Sequence, residues 1–513
     1  MSRLVKYAIN CLIVCVTVIL LFLTISSIFY TADFITEPFQ IEDNEKVVIY
    51  SNNPIIILLL LCVAILILYG VYKVSLKIKI NKLCLFVCLS IFILSIIWII
   101  FAKNNPRDDQ LAMTNSASYL FKNNMYMDFE KGYYFWIYPF QLGYVLFLET
   151  IFMIYNSMYF IQMMNAIFVA VIAFCIYYIT KQIFSYKNNE NKLILILLLG
   201  YLYFEFISTF IYGNIPGLMF SLISIIFLNK YLENAETKYI CFSGIFIIIA
   251  NIVKPNYLIF LVAEIIILVL DTIVNKRIKN IFFICLTIFL LSVCNMGIKN
   301  FYEIRTGKKL TDGMPRILHV NMGLNDNEDR ANGWYDGSTI EIFEENNWDI
   351  EKTKKDGNER VKNRIIHFIQ NPSRAYKFFR EKMLTQWIEP THQTIWINIP
   401  LKDYDRQMNE ISLSLYSKNG TLNKLLDLYF AVYQLMIYSM STIYFIKNVK
   451  TIDYKQSLLI LIFFGGFLFQ IFWEAKSLYT IIFTILLLPY AAKELEDIFK
   501  IIDEKIVSKI CNG

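Results

Sequence analysis

Two adjacent carboxylates, Asp108 and Asp109, stand where a long apolar run ends, in the stretch "NPRDDQLAMTNSASYLF". A carboxylate at a membrane surface can take the proton of a hydroxyl as that hydroxyl attacks another molecule. A pair of them can share a proton or hold a divalent cation. Lysines stand at two other interruptions of apolar sequence: Lys254 in "NIVKPNY", and Lys476 in "FWEAKSLY", two residues after Glu474 and three before Tyr479. Lysines can stabilise a phosphate as it leaves. One carboxylate and two lysines at a bilayer edge therefore suit group transfer from a lipid phosphate to a hydroxyl. Each residue also has an ordinary reading. The acids can cap a helix start, the lysines can snorkel to headgroups, and Glu205 in "YLYFEFIS" can be an intramembrane hydrogen-bond partner.

The elements that must position these groups are membrane spans. The chain has 513 residues, 57% hydrophobic and only 18% charged, with a mean hydropathy of +0.50. Soluble domains carry about 25% charge. The net charge of +6 comes from short basic clusters between apolar runs. Those clusters read as topology signals, not as a nucleic-acid surface. Nine of the ten cysteines lie in apolar runs and the tenth, Cys511, is terminal. No disulfide framework or zinc spacing is present.

A crossing needs about 20 mostly apolar residues. Spans are expected at 7–30, 54–72, 83–102, 160–180, 193–211, 214–230, 239–253, 255–271, 280–299, 425–446, 456–473 and 477–493. The first exceeds a signal-peptide core and lacks a cleavage site, so it reads as retained. Lys/Arg-rich loops mark the cytoplasmic side. Arg3 and Lys6, "KVSLKIKINK", Lys181 to Lys192, "NKRIK" and 447–455 all fall on that side only if the apolar run 134–158 does not cross. That run, with Pro139, Gln141 and Glu149, is therefore expected to be re-entrant or juxtamembrane on the outer side. Both termini are then inside, and Asp109, Lys254 and Lys476 are outside.

The 301–424 stretch reads as one large outer loop. It holds His319, His367 and His392, too far apart in sequence for metal spacing. Its first half, "NMGLNDNEDRANGWYDG", is loop-like and matches a calcium loop only loosely. Its second half, "NERVKNRIIHFIQNPSRAYKFFREKMLTQWIE", reads as amphipathic helix with a break at Asn371-Pro372. The tail from Lys493 reads as an amphipathic helix on the inner surface.

These stretches together resemble the GT-C superfamily of membrane glycosyltransferases. The closest likeness is to the bacterial branch related to protein O-mannosyltransferases and lipid A aminoarabinose transferases. The likeness rests on "DDQLAMTNSASYLFKNNMY", "YPFQLGYVLF", "STFIYGNIPG", "KPNYL", "NMGL" with "NGWYDG", and "FQIFWEAKSLY", in this order. It implies an inverting enzyme that uses a polyprenyl-phosphate sugar, with outer juxtamembrane helices and a catalytic Asp in the first large outer loop. On its spacing Asp109 takes the catalytic place and Asp108 is its neighbour. The sequence departs from the pattern where Gln110 and Ala112 replace an acid and an Arg. It departs again where Tyr138-Pro139 replaces Lys-Pro and Leu478-Tyr479 replaces Arg-Tyr. Lys254, Lys476 and Arg316 are then the cations available for the donor phosphate, and Tyr138, Gln141, Glu474 and Tyr479 line the substrate pocket.

The expected architecture is an all-α polytopic membrane protein, a GT-C-type bundle of about 12–13 transmembrane helices. Residues 1–300 form the N-terminal membrane domain with a catalytic outer loop at 103–158, and 301–424 an extracytoplasmic domain. Residues 425–493 form the last spans and 494–513 a cytoplasmic tail. The expected function is transfer of a sugar from a polyprenyl-phosphate donor to an extracytoplasmic glycan, teichoic acid or protein. A flippase or transporter of lipid-linked sugars and a non-catalytic assembly protein are the alternatives. The former would use Glu205. No cofactor is the default; a divalent cation at Asp108 and Asp109 is the open alternative.

Overall fold

The computed structural model describes residues 3–34, 46–122, 127–184, 192–326, 330–399 and 408–511. Among them ten helices are long and apolar enough to cross a membrane, from Arg3–Phe29 to Ser477–Glu504. Two shorter apolar helices, Thr237–Val253 and Leu458–Phe472, join consecutive long ones and complete the alternation. The chain is thus an all-α polytopic membrane protein. Lys187 of the basic 181–192 loop and the "KNNM" turn at 122–125 fall wholly or partly outside the described residues.

Alternation along the bundle sorts the polar turns into two sets. Lys77, Lys276, Arg277 and Lys450 lie at one end, where Lys192 Nζ donates to Leu76 O at 2.9 Å. Asp109, Lys254, Glu474 and the described residues of the 307–420 stretch lie at the other, called here the site end. The run 134–158 makes no crossing helix. It breaks into Tyr134–Ile137, Pro139–Gln141 and Leu142–Phe152, too short for the bilayer core. Gly143 lets the last of these lie on the Thr237–Val253 helix, because a Cβ there would sit 2.1 Å from Ile252 O. Buried Glu149 fastens it to the end of Lys279–Thr306: Tyr302 donates to Glu149 at 2.6 Å and Arg305 at 2.8 Å.

A two-stranded antiparallel ribbon, Tyr30–Phe34 with Val47–Ser51, replaces part of the loop expected at 31–53. Its Tyr and β-branched residues favour that pairing once another element covers one face. Ala32 N donates to Ile388 O at 3.4 Å.

The fifth pass, Lys192–Thr209, is broken near the site end at Tyr201 and again through Ile207–Thr209. Irregular backbone at such depth survives only where protein groups satisfy it. Trp98 Nε1 and Asn398 Nδ2 both donate to Phe206 O, at 2.8 and 3.0 Å. Asn165 Nδ2 donates to Ser208 O and Phe210 O, and Gln162 Nε2 to Thr209 O. This break delivers Tyr212 and Gly213 to the site. Gly213 has φ +76°, a left-handed conformation that costs glycine least.

The tail does not separate from the bundle. Leu488–Cys511 is one helix. Phe499 packs on Tyr69 and Tyr72, and Asp503 pairs with Lys73 at 2.7 Å. Up to Glu504 the tail thus packs on the Pro54–Ser75 helix.

Candidate active site

Lys103 and Asp108 both have positive φ, +42° and +49°, and between them the chain leaves the third span and turns into the Asp108–Lys122 helix. For a non-glycine residue this conformation is strained. Buried Arg107 holds the turn. Its guanidinium stacks 4.3 Å from the Trp396 ring and lies 3.8 Å from Asp108. Gln110, where the resemblance leads one to expect an acid, accepts from Ile211 N at 2.9 Å. It ties the helix start to the segment bearing Tyr212.

A cavity of ≈ 410 Å³ opens beside this helix start. Asp108, Asp109, Tyr138, Gln141, Lys254, Glu474, Lys476 and Tyr479 all line it. Residues more than 350 positions apart in sequence thus share one space. Arg316 does not line it. It borders an adjoining cavity of ≈ 680 Å³ with Lys299 and Lys354. The two cavities have Phe140 and Pro255 in common. The larger one is apolar toward Leu291 and Ile298 of the Lys279–Thr306 helix, whose apolar window is 0% buried within the protein.

Lys254 occupies the turn between two helices, 6% exposed. No carboxylate among the described residues lies within ion-pair distance of it. Its Nζ sits 3.3 Å from the centre of the Tyr212 ring, a cation–π contact. Burial pulls its ammonium down to about 7, partly offset by the charges of Asp109 and Glu474. Burial, then the Asp109 charge, pushes Tyr134, Tyr138 and Tyr212 above the usual phenol range. All three therefore remain phenols. Glu474 meets Lys476 at 3.7 Å and accepts from Tyr479 at 3.4 Å.

Tyr134, Tyr212, His319, Arg330, Tyr335, Trp396 and Trp473 line it too, and sequence reasoning gave none of them a role in the site. His319 packs on Trp473, ring centres 4.9 Å apart, and its Nδ1 has no hydrogen-bond partner among the described residues. Burial and nearby Arg316 pull its pKa down to about 4, so a neutral ring faces the cavity. His367 lies on the Ile350–Gln370 helix, and His392 is buried against Gln434 and Thr480; the three histidines do not meet. No group of three His, Cys, Asp or Glu that could hold a metal ion converges among the described residues. Glu205 is buried, both oxygens lack hydrogen-bond partners among the described residues, and it stays outside the cavity lining.

Two segments of the 301–424 stretch differ from their sequence reading. Residues 388–399 return into the bundle and are buried throughout. Glu389 satisfies their backbone by accepting from Thr391 N and Gln393 N at 2.8 and 2.6 Å. Lys382, which the amphipathic pattern would leave exposed, is 0% exposed. Its Nζ donates to Gly323 O, to Ile471 O at 3.0 Å and to Trp473 O at 2.7 Å. Lys382→Met should strand these carbonyls at about 1–3 kcal/mol each. The denaturation midpoint of the purified protein should fall, and an unchanged midpoint would refute this clamp.

Residues 141–296 match the family model described as dolichyl-phosphate-mannose-protein mannosyltransferase. The match spans less than a third of the chain and starts after the acidic pair. It supports a membrane glycosyltransferase of the GT-C type. No curated protein and no solved structure matches the chain.

Proposed function

We propose that this protein moves a sugar from a polyprenyl-phosphate carrier to an acceptor outside the cell membrane, with inversion at the anomeric carbon. The observation carrying this reading is the convergence of Asp109, Lys254 and Lys476 on one cavity, next to a second that reaches a lipid-facing helix. The lipid chain would lie in the larger cavity, its phosphate between Arg316 and Lys254, and its sugar against Asp109. Lys476 would add charge to the phosphate side. Asp109 would take the acceptor's proton as its oxygen attacks, and Asp108 would tune the pair. Tyr138 and Tyr479 would flank the sugar, and the 301–424 stretch would cap the site and select the acceptor. The acceptor classes are a cell-envelope glycan, teichoic acid or protein. Basic turns at the opposite end favour a cytoplasmic position for that end and for both termini.

Turnover separates this reading from a transporter. The full-length protein in lipid nanodiscs should release or transfer sugar from a polyprenyl-phosphate donor. Vesicles that translocate a labelled lipid-linked sugar without cleaving it would support a flippase instead. Loss of the protein from cells should remove one sugar from an envelope glycan or glycoprotein, read by mass spectrometry.

A further inference from the structure

Among the described residues one hydrogen bond holds the Asp109 carboxylate, through Oδ2, and the buried Tyr134 hydroxyl stands close to the same group. Tyr212 donates its hydroxyl proton to Asp109 Oδ2 at 2.7 Å. Gln141 Nε2 donates to that same hydroxyl oxygen at 2.9 Å. Chemistry dictates this order. A carboxylate acting as a base carries no proton, so it can only accept. Tyrosine has one hydroxyl proton, and the carboxylate takes it. Gln141 must then present its NH2 group to the tyrosine, because its carbonyl would face a second acceptor. Gln141 is buried at 4% exposure, so water does not readily relax the constraint. The neighbouring Gln110 grips Ile211 N. Two consecutive residues of one helix start are thus fastened to two consecutive residues of another segment.

We propose that Tyr212 and Gln141 are positioning residues that fix Asp109 through Oδ2, leaving Oδ1 as the oxygen that receives the acceptor's proton. The proton-accepting role rests on the glycosyl-transfer reading; the hydrogen-bonded chain itself does not. Gln141 then acts on Asp109 through Tyr212. Tyr212 has a second, separable task, since its ring also carries Lys254 at 3.3 Å.

The two tasks predict different kinetics for two variants. Tyr212→Phe keeps the ring under Lys254 and loses the hydroxyl, so kcat should fall about 10- to 30-fold while KM for the donor stays within about twofold. Tyr212→Leu removes the ring too, and KM should rise as well. Gln141→Glu retains shape but sets an acceptor against the hydroxyl oxygen, and kcat should fall like that of Tyr212→Phe. An unchanged kcat in Tyr212→Phe overturns the proposal, and so does an equal loss of kcat and KM in both tyrosine variants. A second measurement does not depend on turnover. The infrared difference between wild type and Asp109→Asn isolates the Asp109 carboxylate band, which should shift in a Tyr212→Phe background. A missing shift refutes the contact. A shift in a protein that transfers no sugar refutes the function and leaves the contact standing.

Discussion

Asp109→Asn should slow sugar transfer by about 10²- to 10⁴-fold, the range for loss of a general base. Donor binding should change little. Asparagine keeps the side-chain shape, and its carbonyl can still accept from Tyr212, so the helix start should survive the change. What disappears is an oxygen able to take a proton. Asp108→Asn provides the contrast. That carboxylate lies beside Arg107 on a strained turn, and its loss should cost much less activity. Transfer rates of the two variants, measured on purified protein with donor dissociation constants alongside, decide which acid is the base. A normal rate for Asp109→Asn would remove the base assignment. A larger loss for Asp108→Asn would exchange the two roles.

Lys254→Met should lower kcat/KM by about 100-fold or more, because a buried charge facing a phosphate has no replacement in bulk water. The pH dependence is sharper still. Burial holds the Lys254 ammonium near 7, far below the usual lysine range. The side chain is charged below that pH and neutral above it. Affinity for a phosphate-bearing donor should therefore be highest on the acid side and weaken as pH rises through about 7. Arginine keeps its charge across this range, so Lys254→Arg should flatten the profile even where it lowers the maximum. Titrating the donor KM from pH 6 to 9 in both proteins checks this. A wild-type KM that stays level across that window would place the phosphate elsewhere.

The membrane passes were legible because about 20 apolar residues leave a mark that no local detail erases. The acids and the lysines were legible for the opposite reason, as charges interrupting apolar sequence. Tyr212 was not. It is one of 34 tyrosines, and its importance comes from a helix break whose carbonyls are satisfied by Trp98, Asn165 and Asn398, residues scattered over the chain. The buried return of 388–399 was hidden as well. "EPTHQTIWINIP" has neither a helical nor an alternating pattern, and its burial depends on Glu389 bonding its own backbone. Lys382 was misleading, since a lysine on an amphipathic helix normally faces water. Gln110 became intelligible only through its bond to Ile211 N. Arg316 belonged to the donor-binding set by charge alone, and the fold places it in the larger adjoining cavity, outside the lining around Asp109.

The three carbonyls that surround Lys382 belong to two different segments, Gly323 to the 301–424 stretch and Ile471 and Trp473 to the last membrane turn. The isolated β-bridge between Trp334 and Ala475 adds a second rivet beside them. A hinge cannot open where its two leaves are bolted together. The part of the cavity wall that includes Met322, Trp473 and Glu474 is therefore held fixed between these two segments.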